Sequence, residues 1–251
     1  MVEGTAAYDR LGRHYSITRR ADPSIASRIR VALGEGGSVV NVGAGAGSYE
    51  PMDRRTVGVE PSMVMLRQRS ADSAPAICAV AESLPFGANT FDSAMAVLTI
   101  HHWTDPRKGL AEMQRVAKRR VVVLTWDQAV NDQWWLPSAY FPGVRDIDRR
   151  RVVPIDVIAT VLGRCNVESI PIPHDCADGF DIAFWRRPYA YLNPEILASM
   201  SNFAVLDPIE RAAGVRKLAD ELADGTWAAR FGHLLQLNEL DLGLRLVTHE
   251  I

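Results

Sequence analysis

Cysteine is scarce in this chain. Three occur in 251 residues, Cys78, Cys165 and Cys176, and none forms a C-x-x-C pair. An odd, scattered set argues against a disulfide framework and against a structural zinc site. It fits a reducing cytoplasm. The opening MVEGTAAYDRLGRHYS has no apolar core, so no signal peptide is expected there. No apolar run reaches the roughly 18 residues of a membrane span. Excess charge is missing too. A formal balance of −2 gives no global attraction to nucleic acid or to an anionic membrane. The runs at 149–151 and 186–187 are arginine-rich, and they read as solvated faces or ion pairs. Acidic and histidine residues lack ligand spacing, so no metal is expected. No internal repeat or low-complexity linker interrupts the chain.

What is present is ordinary globular composition, 47% hydrophobic and 23% charged, at a length that one core can organise. Ile25, Ile29 and Leu33 share a helical face over 22–33, and Asp22-Pro23 supplies a start signal. SVVNV is a short β-branched run that stops at a glycine cluster, as a buried parallel strand does on entering a tight turn. A second strand, TVGVE, ends at Glu60, and PSMVMLRQRSA reads as a helix. Strands follow over 76–80, 91–100 and 120–126, with a helix over 106–117. This alternation predicts an α/β fold, a mostly parallel sheet with helices on both faces.

The second half breaks the pattern. IDVIATVLG is a helix, VESIPI a sixth strand and LGLRLVTHEI a seventh. Residues 128–150 and 175–235 are helical and aromatic without alternation, and read as lid insertions. The core is then 22–127 and 152–174 plus 242–251, within one domain.

Gly43, Gly45 and Gly47 follow the first strand and precede a predicted helix. Glycines serve where φ is positive and where a ligand touches bare backbone, and a helix N-terminus beyond would add N–H donors. Glu60 ends the second strand, where a carboxylate can accept both ribose hydroxyls of an adenosine. A nicotinamide dehydrogenase would share these features. Its G-x-G-x-x-G pattern, however, needs glycine where this chain has Ser48.

The block AESLPFGANTFDSAMAVLTIHHWTD, residues 81–105, adds a more specific signal. With VVNVGAGAG and VGVEPSMVML before it, it resembles the class I S-adenosylmethionine-dependent methyltransferases, in particular the ubiquinone and menaquinone C-methyltransferase family. The likeness runs in order from 39 to 127, and YDRLGRHYSITRR resembles the family's opening segment. It implies a Rossmann-like seven-stranded fold, S-adenosylmethionine as cofactor and a small-molecule methyl acceptor, with secondary metabolism as one setting.

The resemblance also implies residue roles. Gly43, Ala44 and Gly45 would line the methionine part, beside Asn41, with Glu60 on the ribose. Pro61, Ser62 and Met65 would lie near adenine and ribose, and Ala81 and Glu82 would border the adenine. Leu98 and Thr99 would face the sulfonium, while Tyr15 and Arg19 would close over the cofactor. Two positions depart from the family pattern. Asn41 and Val80 stand where aspartate is usual, which keeps open a protein that binds the cofactor without methylating.

Methyl transfer from a sulfonium is an in-line displacement that mainly needs alignment and exclusion of water. A base is needed only if the acceptor must lose a proton. His101, His102 and His174 are the candidates, since histidine titrates near neutrality. The alternative for His101 and His102 is structural packing against the next helix. Trp103, Trp134, Trp135, Tyr140, Phe141, Trp185, Tyr189 and Tyr191 could wall an acceptor pocket or form the lid's core. Whether the chain is a monomer or a homodimer stays open.

Overall fold

The computed structural model describes residues 19–251, which leaves Tyr15 outside the described residues. Asp22 starts helix α1 (Pro23–Ala32): its carboxylate accepts from the Ser24 and Ile25 N–H groups, and proline fills the first turn. The helix buries Ile25 and Ile29 in one cluster with Val39 and Met95.

Strand β1 (Ser38–Val42) is buried along its length. β2 (Arg55–Val59) and β4 (Phe91–Val97) flank it in parallel. β3 (Ala76–Ile77) lies outside β2, and β5 (Ala117–Trp126) outside β4, both parallel. Successive side chains go to opposite faces. Val39, Met95, Val122 and Leu124 join one core, while Val40, Ala94, Ala96, Val121 and Val123 join the other. Helices α2 (Met63–Leu66) and α3 (Pro106–Val116) intervene between strands, and α3 packs against α7 (Ile155–Leu162) in the second core.

β6 (Cys165–Ser169) ends that half of the sheet, and β9 (Leu244–Glu250) inserts antiparallel between β5 and β6. The order is β3-β2-β1-β4-β5-β9-β6, a seven-stranded, mostly parallel sheet covered on both faces. Several expected strands end sooner than their sequences suggest. The third stops at Ile77, the fourth at Val97 and the sixth at Ser169. Ile172, the last residue of VESIPI, opens β7 (Ile172–Pro173), which pairs with β8 (Glu239–Leu240) in a separate ribbon.

Between β5 and α7 lie α4 (Gln128–Asn131), α5 (Trp135–Ala139) and α6 (Pro142–Arg151). Between β7 and β8 lie α8 (Pro194–Ser199), α9 (Ser201–Val205), α10 (Pro208–Ala223), α11 (Thr226–Phe231) and 3-10 turns, the first being Asp181–Phe184. The two excursions pack on each other. Trp135 meets Tyr140, Tyr191 and Trp227 edge-on, and Phe141 meets Phe203. The second excursion leaves and rejoins the sheet at neighbouring points, where Ile170 N–H donates to Leu244 O at 2.9 Å.

Residues 43–54 form successive turns instead of the helix expected after the glycine cluster. Gly47 has φ 89°, and Glu50 precedes Pro51, which disfavours helical backbone at Glu50.

Candidate active site

The turn after β1 is held from several sides. Gly43 and Ala44 N–H both donate to Val59 O. Gly43 has φ 74° and Gly45 φ 52°. A Cβ at Gly43 would overlap the Thr99 side chain, so glycine is needed for contact as well as for conformation. Glu60, just past β2 and buried, accepts from Gly45 N–H and Ser62 N–H at 2.9 Å each. Ser62 Oγ caps α2 by accepting from Met65 N–H, and Met65 Cε would lie 3.4 Å from a Cβ at Gly45.

A buried ion pair supports this turn where a helix was expected. Arg69 Nη2 donates to Glu50 Oε2 at 2.6 Å and to Ala74 O, and Nη1 donates to Gly45 O. Asn41 Nδ2 donates to the other Glu50 oxygen at 3.2 Å. That bond gives Asn41 a physical reason. Aspartate at this position would set two carboxylates against one guanidinium. Glu50 and Arg69 had no sequence signal, since the two lie 19 positions apart, on either side of β2 and α2.

The C-terminal end of β4 carries Leu98 and Thr99. Leu98 has φ 52°, a costly conformation for a residue with a branched side chain. Its N–H donates to Leu124 O, which keeps it on the sheet. A 3-10 turn, Ile100–His102, follows, with the two imidazole rings 3.9 Å apart. Burial lowers the His101 pKa to about 4, helped by Arg151 and Arg19. His102 moves the same way, from burial first and His101 next. Both rings are therefore neutral at pH 7 and able to accept a proton.

These residues form one side of a cavity. Leu98, His101 and His102 come from the segment after β4, Trp126 from the end of β5, and Asp148, Arg151, Asp181 and Asn202 from the lid segments. Arg19 joins the same wall. It forks onto Asp178 at 2.6 and 3.2 Å, and Tyr49 O–H donates to Asp178 Oδ2 at 2.9 Å. Burial and then Asp178 push the Tyr49 hydroxyl's pKa up, so it stays a donor. Three segments far apart in sequence thus meet at one carboxylate.

Other expectations fall elsewhere. His174 follows β7, its N–H on Asn238 O, and does not line the cavity. The eight aromatic residues singled out from sequence do not line it either; Trp126 and Phe180 do. Trp135 Nε1 donates to Trp185 O, and Trp185 Nε1 to Ile172 O, as interior residues of the lid. Glu82 accepts from Asp105 N–H at the start of α3, and buried Ala81 packs on Gly109. Pro61 O lies 3.6 Å from Cys78 Sγ, and Val80 is exposed.

Sequence reasoning missed Asp148, Asp181 and Asn202. A signal for the first was available: it shares a face of α6 with buried Val144 and Ile147, and a carboxylate on an apolar face is unusual.

A glycine turn, an acidic residue after β2 and a cavity at the carboxyl ends of parallel strands define a nucleotide-binding type of α/β enzyme. Residues 40–125 match a family described as a methyltransferase domain. A solved structure from Anabaena variabilis, described as a candidate methyltransferase of an antibiotic biosynthesis pathway, is 30% identical with a TM-score of 0.87. That alignment covers 93% of this chain and 99% of the other. Demethylmenaquinone methyltransferase of Corynebacterium urealyticum is 33% identical over 46% of this chain and 55% of its own length. A tRNA (carboxymethyluridine(34)-5-O)-methyltransferase of Schizosaccharomyces pombe is 24% identical over 44% of this chain and 49% of its own. The chain spans about half the length of these two curated relatives. It belongs to the class I S-adenosylmethionine-dependent methyltransferases. That membership sets aside the nicotinamide alternative.

Features of this structure suit the cofactor. Asn41 Oδ1 is buried without a hydrogen-bond partner among the described residues, so an acceptor is available beside the turn. Gly43, at φ 74° and with no side chain, presents bare backbone at the turn. Glu60 supplies a buried carboxylate at the ribose position of the fold.

Proposed function

We propose that this chain passes the methyl group of S-adenosylmethionine to an O, N or C atom of a small molecule held in the cavity between β4 and the lid. The observation that carries the proposal is the contact between Thr99 and Gly43, with Leu98, which lines the cavity, next in sequence. A molecule in the cavity is thereby brought next to one in the glycine turn. The cofactor, when bound, supplies an electrophilic methyl group.

In this reading Gly43, Ala44 and Gly45 offer bare backbone to the methionine end, and Asn41 Oδ1 accepts from its amine. Glu60 accepts from the ribose hydroxyls, while Ser62 and Met65 flank them. Leu98 fixes the approach line, and the lid excludes water. Neutral His101 or His102 takes a proton where the acceptor must lose one. Unpaired Cys78, Cys165 and Cys176 support a cytoplasmic setting, and the pathway of the Anabaena relative supports secondary metabolism.

The test is incubation with methyl-labelled S-adenosylmethionine and a panel of small acceptors, with calorimetric titration of S-adenosylhomocysteine alongside. Labelled product is expected from at least one acceptor, and from none when Gly43→Ala drives its methyl into Thr99 and distorts the turn. Tight binding of S-adenosylhomocysteine with no product across a broad panel would favour a cofactor-binding protein without transfer.

A further inference from the structure

The lid side of the cavity holds two carboxyl groups that the reaction outlined above does not use. Asp148 belongs to α6 and Asp181 opens a 3-10 turn. Both meet a single side-chain donor, Asn202 Nδ2, which is 2.6 Å from Asp181 Oδ2 and 3.4 Å from each Asp148 oxygen. The longer pair lies at the outer edge of hydrogen bonding. Asp181 has its own Ile182 N–H as well. Asp148 has no such second donor among the described residues.

Among the described residues no cation is hydrogen-bonded to either carboxyl group of the pair. Arg151 lines the cavity but forms no ion pair among the described residues, and Arg19 is forked onto Asp178. A second observation points to a ligand. The His101 ring lines the same cavity, and its buried Nδ1 has no hydrogen-bond partner among the described residues. Trp126 and Phe180, in edge contact at 5.5 Å, supply an aromatic wall. Two carboxyl groups largely withdrawn from water, with arginines near but none bonded to them, are costly unless a proton or a cation joins them.

Resting on the methyltransferase reading, we propose that Asp148 and Asp181, joined through Asn202, form an ammonium-binding subsite, and that the acceptor is an amine with an apolar body against Trp126 and Phe180. Aromatic faces favour such a cation as well. Without acceptor, the pair holds a proton instead. Burial and then Asp181 push Asp148 up to about 8, with Asp132 adding and Asn202 and Arg151 opposing. Burial raises Asp181 too, against Asn202 and Arg19. His101 and His102 are neutral and do not compete for the carboxylates. Seating an ammonium group therefore expels the proton that Asp148 holds.

The experiment is calorimetric titration with 2-phenylethylamine, 2-phenylethanol and 3-phenylpropanoate, each with and without saturating S-adenosylhomocysteine. The amine is expected to bind at least about tenfold more tightly than either analogue, the scale for pairing a buried charge. Repeating the titration near neutral pH in two buffers of different ionisation heat should show release of about one proton per amine bound. Asp148→Asn and Asp181→Asn should each weaken amine binding by about tenfold or more and leave S-adenosylhomocysteine affinity unchanged. Melting curves establish that each variant folds. If one does not, the other variant and the wild-type proton release decide. Equal binding of amine and alcohol, preference for the carboxylate (an Arg151 anchor), or no amine binding would overturn the subsite. Amine binding that depends on both carboxyl groups, with no binding of S-adenosylhomocysteine, would uphold the subsite and count against the methyltransferase reading.

Discussion

Restoring the family's aspartate at position 41 should harm this protein. Asn41 Nδ2 sits 3.2 Å from Glu50 Oε1. In Asn41→Asp that donor becomes a carboxylate oxygen facing another. Two unit charges about 4 Å apart at an effective dielectric of about 20 repel by about 4 kcal/mol. Arg69, bonded to Glu50 Oε2, offsets part of this, and one carboxyl group can escape the rest by taking a proton. The expected net loss is about 2–4 kcal/mol at pH 7.5, or a fall of about 5–15 °C in melting temperature for a chain of this size.

The pH dependence has a definite sign. The folded variant holds a carboxyl pKa above its ordinary range. Its penalty is full above that raised value and fades as pH falls toward the usual carboxylate range of about 4. Urea unfolding at pH 7.5 and pH 5 should therefore show the gap to wild type narrowing. A cycle with Glu50→Gln adds a check, because the double variant restores an amide–carboxylate contact. Its loss should be smaller than the sum of the single losses by about 1–3 kcal/mol. Additive losses with no pH dependence would refute the proposed contact between positions 41 and 50.

Glu60→Ala should lower S-adenosylhomocysteine affinity by about 1.5–3 kcal/mol, the range for hydrogen bonds to a charged group; unchanged calorimetric affinity would remove Glu60 from the site. Because the His101 and His102 pKa values are depressed in the fold, stability should fall as pH drops below about 6.5, by up to about 1.4 kcal/mol per pH unit for each ring. His101→Asn should lessen that slope in urea titrations between pH 6.5 and 4, and an identical slope would contradict the burial argument. Trp135→Ala should cost about 3–5 kcal/mol of stability by calorimetric melting. At a temperature where the variant stays folded, S-adenosylhomocysteine binding should persist. Loss of that binding would mean that the lid's aromatic core reaches the glycine turn.

Local chemistry explains what could be read from the sequence. β1 and β4 were legible because strands buried on both faces are nearly continuous apolar runs. α1 was legible because Asp22-Pro23 is a start signal in itself, and α3 because Leu110, Met113 and Val116 share one side, which the structure buries. The helix expected after Gly47 failed because the Glu50–Arg69 pair, which organises those turns, comes from residues that are unremarkable one at a time. For the aromatic lid residues the sequence left two readings open, pocket wall or lid core, for a different reason. Spacing marks a residue as apolar but cannot say whether it faces the lid's interior or a cavity, and Trp135 and Trp185 face the interior. Asp148, Asp181 and Asn202 become a group only when α6, a 3-10 turn and α9 pack together.

The hydrogen bond from Ile170 to Leu244 makes the larger lid excursion a closed handle on the sheet. Its two ends are already adjacent, so lengthening or exchanging what lies between changes loop-closure entropy only slowly, by about 0.6 kcal/mol for each doubling of length. Insertions whose termini lie close together are well tolerated for the same reason. Selection can thus remodel this handle while β1, the glycine turn and Glu60 stay as they are. In the laboratory the same joint is a place to graft the corresponding segment of a relative and exchange acceptor preference without rebuilding the methyl-donor half.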